Sequence, residues 1–252
     1  MKPSKTLIGI VPDYRSGGKS DYSLRPYYAL KCNYVDMINH AGAAAFMLTY
    51  DYEMIDYYLE IIDGLMIVGG YFDINPKKYG ETEIHPMVKL NEIRENFEHE
   101  ITDKALKKGD LPILGICNGM QLINALHKGK VIQHIPDDTR FIDHEQSHHP
   151  DFTDYAKPYH DVIIEKDSKL FEIIGEQKIK TNSSHHQAVK EVGSQIKISG
   201  KAEDGIIEAI EHKTHPFCLG VQWHPEFEAT KADKKIFSAF ASACQKYKIT
   251  KK

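Results

Sequence analysis

The stretch Leu114-Gly115-Ile116-Cys117-Asn118-Gly119-Met120-Gln121 decides the fold. An apolar run from Leu111 to Ile116 leads into it as a buried strand, and Met120 to His127 leads out as a helix. A cysteine between two glycines at such a junction is the thiol form of a nucleophile elbow. The turn must be sharp, so Gly115 and Gly119 stand where a Cβ would clash. The Cys117 thiol then projects at the carboxyl edge of a sheet, above the first amides of a helix that favour thiolate. The competing reading is a cysteine packed as a small apolar residue; the two flanking glycines weigh against it.

Upstream, the chain alternates strand and helix. Thr6 to Val11 reads as a buried strand, and Pro12 to Gly18 as a loop. Pro26 suits a first helical turn, and Tyr27, Leu30, Lys31, Tyr34, Val35 and Ile38 follow helical spacing to a stop at Gly42. Ala43 to Leu48 is a second strand, Tyr52 to Ile62 a short helix, and Leu65 to Val68 a third strand ending in Gly69-Gly70. This predicts a doubly wound, mostly parallel sheet flanked by helices. Its ligands bind at the carboxyl ends of strands, where the loop after Val11, Gly69-Gly70 and Cys117 all fall.

Asn91 to Lys108 is a charged helix, on which Arg94 and Glu98 read as a solvated i,i+4 pair. Gly129 to Ile135 looks like a strand. Phe141 to Tyr159 is a long polar loop of the kind that forms lids or recognition segments. A metal reading would combine its His144, His148 and His149 with Asp143 or Glu145; the spacing matches no defensible site, so a solvated loop is expected. The second half has short strands at His160–Glu165, Ile179–Asn182, Ile196–Gly200, Ile206–Glu211 and Phe217–Gln222, which suggest antiparallel hairpins added to the sheet. Asp204-Gly205 marks one turn, and Ala229 to Lys246 a closing helix.

With 252 residues the chain can bury a full core, and residues 1–252 read as a single domain without repeats or a linker. A formal charge of −4 carries no footprint for nucleic acid. Cys32, Cys117, Cys218 and Cys244 are widely spaced, which argues against a disulfide framework or a four-cysteine zinc site. No signal-like segment or membrane-length apolar run is visible, so a cytoplasmic protein is expected.

A thiol nucleophile needs an imidazole partner, a group to orient it, and amides for the oxyanion. Gly220-Val221-Gln222-Trp223-His224-Pro225-Glu226 supplies the first two. His224 follows an apolar strand, and Glu226 is close enough to fold back onto the ring and set its tautomer.

Gly-Ile-Cys-x-Gly-Met-Gln at 115–121, Gly69-Gly70 and the His-Pro-Glu segment together resemble the class I glutamine amidotransferase superfamily, with its flavodoxin-like glutamine amidotransferase fold. Gly70-Tyr71-Phe72-Asp73-Ile74-Asn75-Pro76, Asn182-Ser183-Ser184-His185-His186-Gln187-Ala188-Val189 and Trp223 resemble its γ-glutamyl-γ-aminobutyrate hydrolase family, peptidase C26. The resemblance implies Cys117 as nucleophile, His224 as base and Glu226 as its orienter. It implies an oxyanion hole from the backbone N–H groups of Gly70 and Asn118, and substrate contacts from Gln121, Ser183, His185 and His186. Position 118 is usually arginine in these hydrolases, so Asn118 puts substrate placement rather than the reaction class in question.

The implied activity is cysteine-dependent hydrolysis of a γ-glutamyl amide through a thioester, with no metal and no organic cofactor. The implied substrate is γ-glutamyl-γ-aminobutyrate, a polyamine-catabolism metabolite, with γ-glutamyl polyamines and folyl-polyglutamates as alternatives. The implied partner is that small molecule, with neither nucleic acid nor membrane; a homodimer is allowed. Two other readings share the motifs: a glutaminase subunit passing ammonia to a separate synthase, and a non-catalytic binding protein of the same fold.

Overall fold

The computed structural model describes residues 5–251. The strands are β1 (Leu7–Val11), β2 (Asp13–Arg15), β3 (Tyr27–Ala29), β4 (Ala44–Met47), β5 (Gly64–Ile67), β6 (Ile113–Ile116), β7 (Lys130–Ile132), β8 (His160–Ile164), β9 (Lys178–Thr181), β10 (Ala188–Glu191), β11 (Ile196–Ala202), β12 (Ile207–His212) and β13 (Cys218–Val221). The helices are α1 (Cys32–His40), α2 (Ile55–Ile61), α3 (Glu92–Lys108), α4 (Asn118–Leu126), α5 (Lys169–Ile174) and α6 (Lys231–Thr250).

The main sheet runs β4-β1-β5-β6-β13-β12-β11-β8-β9, with β10 paired to β12 and β7 paired to β10. Its first five strands are all parallel. In chain order they stand 2-1-3-4-5, the flavodoxin-like arrangement whose loops at the carboxyl edge hold ligands. Beyond β13 every pairing is antiparallel. Strands β5, β6 and β13 are buried along their whole length, because helices cover both faces. On one face Ile8, Ile10, Met66, Leu114 and Val221 pack against α1, α5 and α6; on the other Val11, Leu65, Ile67 and Ile113 pack against α2, α3 and α4.

Capping sets the helix ends. Asn91 caps α3 by accepting from the Arg94 amide, and Gly109 closes it at φ 79°. Thr230 and Asp233 form a capping box on α6.

Three expectations change. The helix expected from Pro26 begins instead at Cys32, because Tyr27–Ala29 pairs antiparallel with Asp13–Arg15. Tyr14, Tyr28 and Tyr50 pack there as an aromatic cluster, and that packing outweighs the proline signal. The last short strand, β13, is not part of a purely antiparallel extension. It runs parallel to β6 on one side and antiparallel to β12 on the other, so it joins the two halves of the sheet. The strand expected over Gly129–Ile135 shortens to Lys130–Ile132, since Ile135 starts a 3₁₀ turn.

Candidate active site

Cys117 sits between β6 and α4 with φ 52° and ψ −106°, a conformation that costs a non-glycine residue energy and marks an imposed turn. Its own amide donates to Val221 O at 2.8 Å, which fixes the elbow to β13. The amides of Met120 and Gln121 return to the Cys117 carbonyl at 3.0 and 3.2 Å. A Cβ on Gly115 would stand 2.7 Å from the Gly119 carbonyl, and one on Gly119 would stand 2.3 Å from Ile67 O. Both glycines are therefore steric requirements of the bend. Asn118 opens α4, so its amide has no helical carbonyl to take it.

His224 leaves the carboxyl end of β13 and places Nδ1 2.7 Å from Glu226 Oε1, with both side chains buried. Burial opposes charge on the ring, yet Glu226, and Cys117 with it, raise the imidazole to about 10. The ring thus favours the imidazolium that a thiolate partner requires. Its backbone is gripped from the second half of the chain: the His224 amide donates to Asn182 Oδ1 and Asn182 Nδ2 donates to His224 O, each at 2.8 Å. Trp223 is fully buried and donates through Nε1 to Asp233 Oδ1 at 3.0 Å. Asp233 is pushed up to about 7 by burial.

Gly69 lies directly against this pair: a Cβ there would come 2.8 Å from the His224 ring and 3.2 Å from Cys117 Cβ. Its amide donates to Tyr34 Oη at 3.3 Å, and the same buried hydroxyl faces Glu226. Arg94 holds the turn from behind. Its Nη2 donates to Val68 O at 3.0 Å and Gly69 O at 3.4 Å. In a trans peptide C=O and N–H point opposite ways, so holding the Gly69 carbonyl toward Arg94 turns the Gly70 N–H away from it. The Arg94–Glu98 pair expected in solvent is instead buried, because α3 packs this face onto the sheet: Nε meets Glu98 Oε1 at 2.9 Å and Nη1 meets Asp13 Oδ1 at 3.1 Å. A charged i,i+4 pair on a charged helix gave no local sign of this.

The remaining expected residues divide. The Asn118 side chain donates to Phe72 O at 2.9 Å and so clasps the Tyr71–Pro86 loop. Gln121 is buried, with Nε2 donating to Gln187 O at 3.3 Å and Gln222 Oε1 at 3.1 Å. His186 reaches the Tyr71–Pro86 loop, with Nε2 3.1 Å from Asp73 Oδ1. Ser183 and His185 turn away from solvent: Ser183 Oγ donates to His144 O at 2.7 Å, and His185 points its ring at Glu208. Their placement does not support the substrate contact expected of them, since both are enclosed by the Phe141–Tyr159 segment. That segment is docked rather than solvated. Gln146 Oε1 accepts from the Ser183 amide at 2.7 Å, and Tyr155 O accepts from Asn182 Nδ2 at 2.8 Å.

Of the segment's histidines, His148 and His149 are exposed, and His148 pairs with Asp143 at 2.8 Å. His144 alone is buried. It meets His160, His185 and Glu208, residues on three other segments that sequence spacing does not associate. Burial opposes charge on His144, but Asp204 and Glu208 raise it to about 9. Burial also opposes an ionised Glu208, yet the facing His160, His144 and His185 hold its carboxyl well below the usual range. Burial lowers His185. Asn182, Tyr34 and Arg94 were likewise missed as supports of the site; Asn182 had a signal, since it heads the segment 182–189.

The profile of the peptidase C26 family matches residues 6–226. The chain is 37% identical to a glutamine amidotransferase-like protein of Rickettsia prowazekii, over 95% of this chain and 98% of the relative. It is 27% identical to the γ-glutamyl-γ-aminobutyrate hydrolase of Escherichia coli K12, over 86% of each. A crystal structure of a GMP synthase component from Thermoplasma acidophilum superposes with a TM-score of 0.63 at 18% identity, covering 98% of this chain and 97% of that one, a likeness of fold. The chain belongs to the peptidase C26 family, within the glutamine amidotransferase-like proteins, a family whose members include amide-bond hydrolases.

Proposed function

We propose that the protein is a free-standing cysteine hydrolase of γ-glutamyl amides, acting on γ-glutamyl-γ-aminobutyrate or a related γ-glutamyl amine. The observation that carries this reading is the Glu226–His224 pair at 2.7 Å, set beside an elbow cysteine held at positive φ. The hydrolases among the 27%-identical relatives support the γ-glutamyl half.

Cys117 Sγ attacks the γ-carbonyl carbon, and the oxyanion is received by the N–H groups of Gly70 and Asn118. His224 gives its proton to the leaving amine, and the C–N bond breaks to leave a γ-glutamyl thioester. Water then gives a proton to His224 and attacks the thioester, releasing glutamate and the thiol. Glu226 keeps the ring in one tautomer throughout. Because the thiol must stay reduced, the cytoplasm suits the reaction.

The test is purified protein against a panel of γ-glutamyl amides, with glutamate and amine read separately. Turnover by the isolated chain, lost at least about a thousandfold in Cys117→Ala with the fold retained, is expected. Retained turnover in that variant sinks the reading; a wild-type chain silent on every amide points to a glutaminase subunit that waits for its synthase.

A further inference from the structure

The cluster of His144, His160, His185 and Glu208 lies outside the thiol chemistry, and its hydrogen bonding is unfinished. Each imidazole commits one ring nitrogen outward. His144 Nε2 meets Asp204 Oδ2 at 3.0 Å, His185 Nδ1 meets Gln187 O at 2.9 Å, and His160 Nδ1 meets Asp161 O at 3.3 Å. A nitrogen facing a carbonyl or carboxylate oxygen must carry the proton, so on a neutral ring the other nitrogen presents a lone pair. Those other nitrogens all turn to one point. His144 Nδ1, His185 Nε2 and His160 Nε2 stand 3.3, 3.5 and 3.7 Å from Glu208 Oε1. Lone pairs then face a carboxylate, and the one hydroxyl nearby, Ser183 Oγ at 3.4 Å from His144 Nδ1, already gives its hydrogen to His144 O at 2.7 Å. His160 Nε2, His185 Nε2 and both Glu208 oxygens have no hydrogen-bond partner, although all are buried.

Buried acceptors converge like this when a cation sits among them. The four donor atoms lie within 4.8 Å of one another. Ligands about 2.0–2.2 Å from a tetrahedral zinc ion stand about 3.3–3.6 Å apart, close to the three distances to Glu208. Three imidazoles and one carboxylate suit a borderline dication better than magnesium or calcium, which prefer oxygen. The His144–Asp204 contact supplies the carboxylate that commonly backs a metal-bound histidine. Charge also closes: a dication balances Glu208 and Asp204. A metal-free cluster with a doubly protonated His144 would satisfy Asp204 and one side of Glu208, but would still leave His160 Nε2 and His185 Nε2 without partners.

The geometry points to a structural zinc site formed by His144 Nδ1, His160 Nε2, His185 Nε2 and Glu208. All four ligands come from the protein and are buried, so no position stays open for substrate. The ion would pin the Phe141–Tyr159 segment, the start of β8, the 182–187 loop and β12 together. Asn182, three residues before His185, holds the backbone of His224. The site is thus a brace for the catalytic histidine, and it adds no metal to the thiol chemistry.

The test is metal analysis of untagged protein purified without chelator, followed by stripping and titration with zinc or cobalt(II). About one zinc per chain, and cobalt absorption of tetrahedral intensity, are expected. Glu208→Gln should lose the bound equivalent, and Asp204→Asn should weaken zinc binding about 10–100-fold. Replacing the exposed His148 by Ala should change neither. Should Glu208→Gln fail to fold, the wild-type cobalt spectrum still decides. Failure of stripped wild-type protein to take up zinc or cobalt, a six-coordinate cobalt spectrum, or one zinc per chain retained in Glu208→Gln would overturn the site.

Discussion

Two buried ionic centres flank the sheet edge that carries the candidate site, and they are finished to different degrees. Around Arg94 each guanidinium nitrogen has an acceptor: Glu98, Asp13, and the carbonyls of Val68 and Gly69. Around Glu208 three imidazole nitrogens converge on one carboxylate oxygen, and four buried atoms stay without a partner. The first centre is complete as protein; the second is the one that the proposed cation would complete. Each ends on the active site, the first through the Gly69-Gly70 turn and the second through Asn182 and His224. A fold that must hold loops at one sheet edge can tie them with its own charges or with a bound ion.

The largest expected effect breaks the closed centre. Arg94→Met leaves Glu98 buried beside Asp13 with no cation, which should cost about 3–5 kcal/mol in urea unfolding. Adding Glu98→Leu should restore much of that stability, because the uncompensated charge is gone. It should not restore kcat, since the Gly69 carbonyl stays unheld. Recovery of both together would reduce Arg94 to a purely structural role.

Next comes the open centre. At free zinc about a hundred times the dissociation constant, the ion should stabilise the fold by about 2.7 kcal/mol. A chelator should therefore lower the melting temperature of the wild type and leave that of Glu208→Gln unchanged. The Arg94 centre is indifferent to chelator, so equal sensitivity in both proteins would remove the contrast.

A smaller effect should follow from cutting the link between the second centre and the His224–Glu226 pair. Asn182→Ala removes both bonds to the His224 backbone, worth about 1 kcal/mol each. A fall in kcat of roughly tenfold with little change in KM is expected from steady-state kinetics. A change confined to KM would mean that Asn182 serves substrate instead.

Asp233 is a further buried acid, satisfied by the neutral donors Trp223 Nε1 and Thr230 N. Its folded pKa of about 7 lies above its ordinary value of 3.8. Its contribution to stability is therefore full below about pH 4 and is lost as pH rises through about 7. Asp233→Asn should flatten unfolding free energy against pH across that window, while lowering it at acid pH through the lost hydrogen bond to Thr230. An unchanged slope would place the titration elsewhere.

Much of this was legible locally. Gly115 and Gly119 announce the elbow because the steric demand lies within five residues. His224-Pro225-Glu226 announces the imidazole–carboxylate pair because the two side chains are two positions apart. The Arg94 centre is not legible locally because an i,i+4 pair looks the same in solvent and in a core; only the packing of α3 against α2, α4 and β2 removes the water. His144 is illegible for a similar reason. Its sequence neighbours His148 and His149 are irrelevant to it, and its true neighbours lie 16, 41 and 64 positions away.

The sequence by itself determined the parallel sheet, the elbow and the Cys117–His224–Glu226 order, since each is encoded in strand–helix alternation or in the spacing of a few residues. The tertiary structure alone decided that β13 joins the parallel core to the antiparallel wing. It also decided that Ser183 and His185 face inward, and that three histidines and a glutamate share one point. Those facts depend on the register between strands and on how a long segment docks, and pairing across dozens of residues leaves no periodic mark in the chain.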